Sequence, residues 1–294
     1  MRVCGKRDRG ALASGALAAC LALASCTPQV PAERNGQDDR EQSDQGVGHA
    51  GSVPHLRARV IQVLPHDTSA FTEGLEIAGG DLYESTGLHG SSALVKRDPA
   101  TFAQRQREHL PDELFGEGTT VVGDRVWQLT YRAGVAIQRD RASLRETGRA
   151  RYDGGEGWGL CHQDSGAQHS GTPRGAGQLV SSNGTPQLTF RDPATFAAVR
   201  QVTAHLPGGR PVAGINELEC AGGQVWANLY RSDHLVRLDP ASGQVTADVD
   251  ASGLLPPEQR EHLDVLNGIA AVPGTDQFLL TGKEWPNAFR VEFR

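Results

Sequence analysis

The chain has 294 residues, of which 38% are hydrophobic and 22% charged, with 36 Gly, 16 Pro and a formal net charge of −6. That composition argues against a helical bundle, and past the N-terminus no stretch is apolar enough to span a membrane. The acidic balance argues against a nucleic-acid partner, because neutralising phosphates needs a basic surface.

The chain opens on Arg2, Lys6, Arg7 and Arg9, followed by a short Ala/Leu-rich run from Ala11 to Ala22. This predicts an export signal over residues 1–25, too short for a spanning helix. It ends in Leu23-Ala24-Ser25-Cys26, which resembles the lipobox of bacterial lipoproteins. The resemblance implies that Cys26 becomes a lipidated N-terminus and that lipid alone carries the membrane contact. An ordinary signal with a chance cysteine is the alternative. The address is then the bacterial cell envelope, facing the periplasm or the cell surface. Thr27 follows the cysteine, where no Asp retention signal stands, so the outer membrane is the expected side. Residues 26–55 hold almost nothing apolar and are expected to be a disordered tether.

Within a domain over residues 56–294, the chain repeats a plan from about residue 71 to 294. A short polar/Gly motif leads into an apolar strand, a Gly turn, a second strand and then a third. The motifs are Phe71-Thr72-Glu73-Gly74, Phe115-Gly116-Glu117-Gly118, Gly157-Trp158-Gly159-Leu160, Ile215-Asn216-Glu217-Leu218 and Leu266-Asn267-Gly268-Ile269. Second strands follow at Leu82–Ser85, Val126–Leu129, Leu179–Ser182, Val225–Asn228 and Phe278–Thr281. Asp-Pro-Ala-Thr/Ser turns recur at Asp98, Asp192 and Asp239. A polar insertion at Asp164–Gly177 lengthens the third interval. Units of this length with short antiparallel strands predict an all-β fold, a five-bladed β-propeller. The last unit runs out of chain, so the early strand Ala58–Val63 is expected to supply its outer strand.

In such a blade the start of the first strand and the end of the second lie at one mouth of the central channel. That rule gathers Phe71, Glu73, Phe115, Glu117, Trp158, Asn216, Glu217 and Asn267 with Gly87, Tyr131, Gly184, Tyr230 and Lys283. Aromatic walls with a few convergent polar groups suit a ligand cavity. Lysine is rare here, with only Lys6, Lys96 and Lys283, so an ammonium is marked at 283. Phe71 and Phe115 taken singly read as packing residues. Trp127 and Trp226 are assigned to the core between blades, and Glu217 and Glu219 can pair with nearby arginines as structural charges. Glu117, between two glycines, is the strongest candidate for chemistry.

The histidines and cysteines show no zinc spacing, and neither a Gly-x-Ser-x-Gly elbow nor a P-loop is present. No metal and no cofactor are expected. Cys161 and Cys220 fall at equivalent positions of adjacent first strands. A sheet-like separation of about 10 Å would put them beyond disulfide reach, so free or buried thiols are expected.

At these motifs, residues 56–294 resemble the plant and bacterial type of glutaminyl-peptide cyclotransferase. Glu84-Ser85-Thr86-Gly87-Leu88-His89-Gly90-Ser91, Asn216-Glu217-Leu218-Glu219 and Thr281-Gly282-Lys283-Glu284-Trp285-Pro286 complete the match. The resemblance implies a metal-independent five-bladed propeller in which Glu117 is the catalytic acid/base. Asn216 and Lys283 would be polar groups of the pocket, lined by Phe71, Phe115 and Trp158. The family usually has Gln where this chain has Glu73, and Trp where it has Tyr131 and Tyr230. The implied reaction closes the N-terminal glutamine of a peptide or protein to pyroglutamate and releases ammonia, with the enzyme acting as a monomer. Two readings from other classes stay open: a non-catalytic, lipid-tethered binding propeller, and a calcium-dependent lactonase-like propeller.

Overall fold

The structure is a computed structural model that describes residues 53–294 apart from residue 154, residues 165–176 and residues 261–262. The export signal, Cys26 and nearly all of the tether lie outside the described residues, as does most of the Asp164–Gly177 insertion. The described residues form twenty strands and one four-residue helix, an all-β fold. Strand β1 is His55–Pro65.

Three four-stranded antiparallel sheets follow. The first is β2 (Thr72–Ala78), β3 (Asp81–Thr86), β4 (Ala93–Arg97) and β5 (Gln104–His109). The second is β6 (Gly116–Val122), β7 (Arg125–Thr130), β8 (Val135–Asp140) and β9 (Glu146–Arg151). The third is β10 (Leu160–Gln163), β11 (Gln178–Ser181), β12 (Gln187–Arg191) and β13 (Ala198–Thr203). An eight-stranded sheet takes β14 (Ile215–Ala221), β15 (Gln224–Leu229), β16 (His234–Leu238) and β17 (Val245–Asp250). After helix α1 (Pro257–Arg260) it adds β18 (Leu266–Ala271), β19 (Gln277–Gly282) and β20 (Asn287–Phe293).

Strand β1 closes that last sheet as expected, running antiparallel to β20 from Ala58↔Phe293 to Pro65↔Asn287. Its first three residues do something the sequence pattern did not announce. His55–Arg57 pair parallel with Asp248–Asp250 of β17, which joins two strand groups into one sheet.

The first strands pack side by side, β2 on β6, β6 on β10, β10 on β14, β14 on β18 and β18 on β2. Trp127 packs with Leu129, Leu160, Leu179 and Phe196, and Trp226 with Phe278 and Leu280, in the core between sheets. The recurrent Asp turns have a local cause. The Asp98 Oδ1 accepts the N–H groups of Ala100 and Thr101, and Asp192 and Asp239 repeat the arrangement. A buried arginine at the end of the third strand then clamps the turn, as Arg97 Nη1 donates to the Phe102 carbonyl at 3.2 Å.

Cys161 and Cys220 form a disulfide with a Cα–Cα distance of 5.4 Å, which corrects the expectation of free thiols. The error lay in the assumed spacing between neighbouring first strands. Glycines at their contact let the backbones approach far more closely than packed sheets do. A Cβ on Gly118 would sit 2.5 Å from Leu160 N, and one on Gly159 would overlap the Asn216 carbonyl.

Candidate active site

Four of the five first strands begin with a β-bulge. The register slips between Thr72 and Gly74, Gly116 and Thr119, Ile215 and Leu218, and Leu266 and Ile269. Glu73, Glu117, Asn216, Glu217 and Asn267 all sit inside these slips. A bulge leaves a residue unpaired and re-aims its side chain, which turns these groups toward the channel instead of along the pleat.

The backbone of three of these bulges is pinned from the neighbouring sheet. Ser85 Oγ donates to the Glu117 carbonyl, accepts from Gln128 Nε2 at 2.8 Å, and Gln128 in turn accepts from Arg139 Nε at 3.1 Å. Ser182 repeats the device, donating to the Asn216 carbonyl at 2.6 Å. Asn267 Nδ2 donates to both the Thr72 carbonyl and Glu73 Oε2, each at 3.0 Å. The chain is thus held at three places where reactive side chains emerge.

One cavity of about 190 Å³ is lined by Phe71, Glu73, Phe115, Glu117, Tyr131, Trp158, Asn216, Tyr230 and Lys283. Every residue singled out from the sequence as catalytic or substrate-binding therefore faces the same space. Of the wider mouth set, Gly87 lies under Phe115 and Glu73, and Gly184 under the Trp158 ring. The aromatic walls interlock, with Phe71–Phe115, Phe115–Tyr131 and Trp158–Tyr230 centroids 6.1, 5.7 and 5.2 Å apart. Tyr230, at 40% exposure, marks the open side.

The charged groups are arranged unequally. Lys283 Nζ donates to Glu73 Oε1 at 2.6 Å and lies 4.5 Å from the Phe71 ring centroid. Burial pushes Glu73 up to about 7, against the pull of Lys283. Glu117 is 5% exposed, and its carboxylate makes no hydrogen bond among the described residues. Burial, and then the neighbouring Glu73 charge, push it well above the ordinary carboxylate range. Glu73 thus holds an ion pair, while burial favours the protonated form of Glu117. The Asn216 carboxamide, 3% exposed, likewise has no partner among the described residues and is free to meet a ligand.

Glu217 departs from the expected ion pairing with arginine. It is fully buried and accepts the N–H groups of Leu75 at 3.1 Å and Ile269 at 2.9 Å, stitching three first strands together. Glu219 is also buried, close to the backbone amides of Ala271 and Cys220. Burial raises both carboxyls well above their ordinary value. Glu156 was missed. It stands two residues before Trp158 and accepts the indole Nε1 at 3.0 Å. Nothing in its Gly155-Glu156-Gly157 setting distinguished it from a surface acid. Among the described residues no group of three or more His, Cys, Asp or Glu side chains is placed to hold a metal ion.

A buried carboxyl held above its ordinary pKa, an adjacent ion pair and a carboxamide without a partner among the described residues surround an aromatic pocket on a propeller-like all-β fold, an arrangement suited to acid–base chemistry. The sequence pattern of the glutamine cyclotransferase family matches residues 37–293, and the chain belongs to that family. It is 33% identical over 240 residues to glutaminyl-peptide cyclotransferase of Arabidopsis thaliana, covering 80% of this chain and 71% of that protein. The crystal structure of Myxococcus xanthus glutaminyl cyclase is similar at 35% identity and a TM-score of 0.72. The match covers 82% of this chain and 98% of that one.

Proposed function

We propose that the protein cyclises N-terminal glutaminyl residues of peptides to pyroglutamate with release of ammonia, using Glu117 as the acid/base. The observation that carries the assignment of roles is the buried Glu117 carboxyl, without a hydrogen-bond partner among the described residues, in a cavity whose other lining groups include Lys283, Glu73 and Asn216.

The substrate's α-amine attacks its own side-chain carbonyl. A bond forms between the amine nitrogen and that carbon, the bond to the carboxamide nitrogen breaks, and one proton passes from the amine to the departing NH₂. Because the reactants are already linked, the protein's task is to fold the side chain into attack geometry and to move that proton. The aromatic walls hold the aliphatic stem. Glu117 takes the amine proton and returns it to the leaving group. The Asn216 amide and the Lys283 protons not engaged by Glu73 stabilise charge developing on the oxygen. Only an N-terminal residue carries the required free amine, and the open side at Tyr230 gives the rest of the peptide its way out.

The same reading takes the fold as a five-bladed propeller acting as a monomer. The cycle of contacts among β2, β6, β10, β14 and β18 supports it. It also takes Cys26 as a lipidated N-terminus that holds the catalytic domain at the bacterial cell envelope, on the strength of the Leu23-Ala24-Ser25-Cys26 motif. Mass spectrometry of the mature N-terminus tests that part, and an unmodified N-terminus elsewhere refutes it.

The deciding experiment is ammonia release from a Gln-initiated peptide, with and without a chelator. Turnover unaffected by chelation is the expected result. No turnover favours a binding propeller. Turnover lost in chelator and restored by calcium or zinc moves the chemistry to a metal-dependent site.

A further inference from the structure

The rim of the cavity carries a charged assembly that the reaction scheme leaves unused. Glu156 Oε1 accepts two donors from Arg132, Nε at 2.7 Å and Nη2 at 2.6 Å. Its second oxygen accepts Trp158 Nε1 at 3.0 Å, and the Tyr131 hydroxyl faces the same carboxylate. The Arg132 guanidinium in turn stacks over the Tyr131 ring, 4.6 Å from its centroid. Tyr131, just after β7, and Trp158, just before β10, both line the cavity, and Glu156 lies between these segments of different sheets.

An indole or a phenol at a cavity mouth otherwise has freedom to rotate, and ordering it on binding costs affinity. A charge-assisted hydrogen bond to the indole, and the Glu156-held Arg132 guanidinium stacked on the phenol, remove that freedom beforehand. Burial alone would raise the Glu156 carboxyl, but hydrogen bonds from Arg132, Trp158 and Tyr131 outweigh it and keep the group ionised. The same negative charge acts on Glu117, alongside Glu73 on β2 and Lys283 after β19. Tyr152, whose hydroxyl donates to the Thr130 carbonyl, completes the titratable groups near Glu117.

We propose that Glu156 is a positioning residue for the cyclisation, fixing the Tyr131–Trp158 wall against which the glutaminyl stem packs and setting a permanent negative charge at the mouth. The proposal rests on the cyclotransferase reading of the cavity. It separates two effects that two variants pull apart. Glu156→Gln keeps an acceptor for the indole and loses the charge; Glu156→Ala loses both.

Kinetics of the full-length protein on a Gln-initiated peptide across pH provide the test, with thermal melts to verify folding. Loss of a charge-assisted hydrogen bond predicts KM about tenfold higher in Glu156→Ala with kcat nearly unchanged. Glu156→Gln is expected to keep KM within about threefold of wild type, rescued by its remaining acceptor. Both variants move the acid limb of kcat/KM down by about a few tenths of a pH unit, because a negative charge near Glu117 is gone. Wild-type KM in Glu156→Ala, or equal KM increases in both variants with an unmoved limb, overturns the proposal. Peptide affinity is also measured in a Glu117→Gln background, in which turnover is expected to be about 10²–10⁴-fold slower. If the wild type releases no ammonia yet Glu156→Ala weakens that binding about tenfold, the wall assignment stands and the reaction assignment falls.

Discussion

Replacing Glu117 by Gln is the most direct perturbation of the site, because the structure fixes what changes and what does not. The carboxamide has the shape of the carboxyl, and no hydrogen bond to the side chain is lost, since none is made among the described residues. What disappears is the capacity to accept a proton. General acid–base catalysis contributes about 10²–10⁴-fold, or about 2.7–5.4 kcal/mol of barrier, so kcat should fall by that factor with KM little altered. Stability should move the other way. The folded-state pKa of Glu117 lies well above its unfolded value, so the folded protein binds the proton more tightly than the unfolded chain does. The stability linked to that proton is full below the unfolded pKa and is lost as pH rises through the folded one. Glu117→Gln has no such loss, so it should melt near the wild-type temperature in mild acid and increasingly above it as pH rises. An ammonia-coupled assay over about pH 5–9, with melts at the same points, reads both quantities. Near-normal kcat in a normally melting variant would refute the acid/base assignment, and a variant that melts far below wild type would make Glu117 structural.

Glu73→Gln removes a negative charge beside Glu117 and should lower the acid limb of the pH–rate profile; an unmoved limb in the titration of kcat/KM would mean that the two carboxyls are not coupled. Replacing Cys161 and Cys220 by Ser opens a crosslink across 59 residues and should cost about 4 kcal/mol by loop entropy. Denaturant melts check it, and an unchanged midpoint would show that the inner-strand glycines and backbone bonds suffice. Gly87→Ala places a methyl against the Phe115 ring and 3.2 Å from Glu73 Cγ, so the ring must tilt into the cavity. KM should rise several-fold with the melting temperature little changed, and peptide kinetics that match wild type would mean that the wall yields without narrowing the pocket.

The legible part of this protein is the part written in periodicity and turn chemistry. Second strands at Leu82, Val126, Leu179, Val225 and Phe278 fall inside β3, β7, β11, β15 and β19 because alternation and Gly turns are local signals. The list of cavity residues was legible for the same reason. Once each repeat is aligned, the mouth positions follow from antiparallel geometry, and nine of the thirteen aligned residues line one cavity, while Glu217 and Asn267 bond to neighbouring strands instead. Glu156 escaped because its importance lies in an indole, a phenol and a guanidinium that the sequence pattern does not single out as its partners.

What the sequence by itself determined is therefore the succession of strands, the turns between them and the end of each strand pair at which polar groups emerge. These depend on neighbours a few residues apart. Tertiary structure decided how close the first strands stand and which charge meets which. Glycine-to-backbone contacts bring β10 and β14 near enough for Cys161 and Cys220 to bond. Bulges turn Glu73 toward Lys283, 210 residues away, while leaving Glu117 unpaired among the described residues. One buried carboxyl is then held in an ion pair while burial favours the protonated form of the other, a distinction that arises only when distant strands close around them.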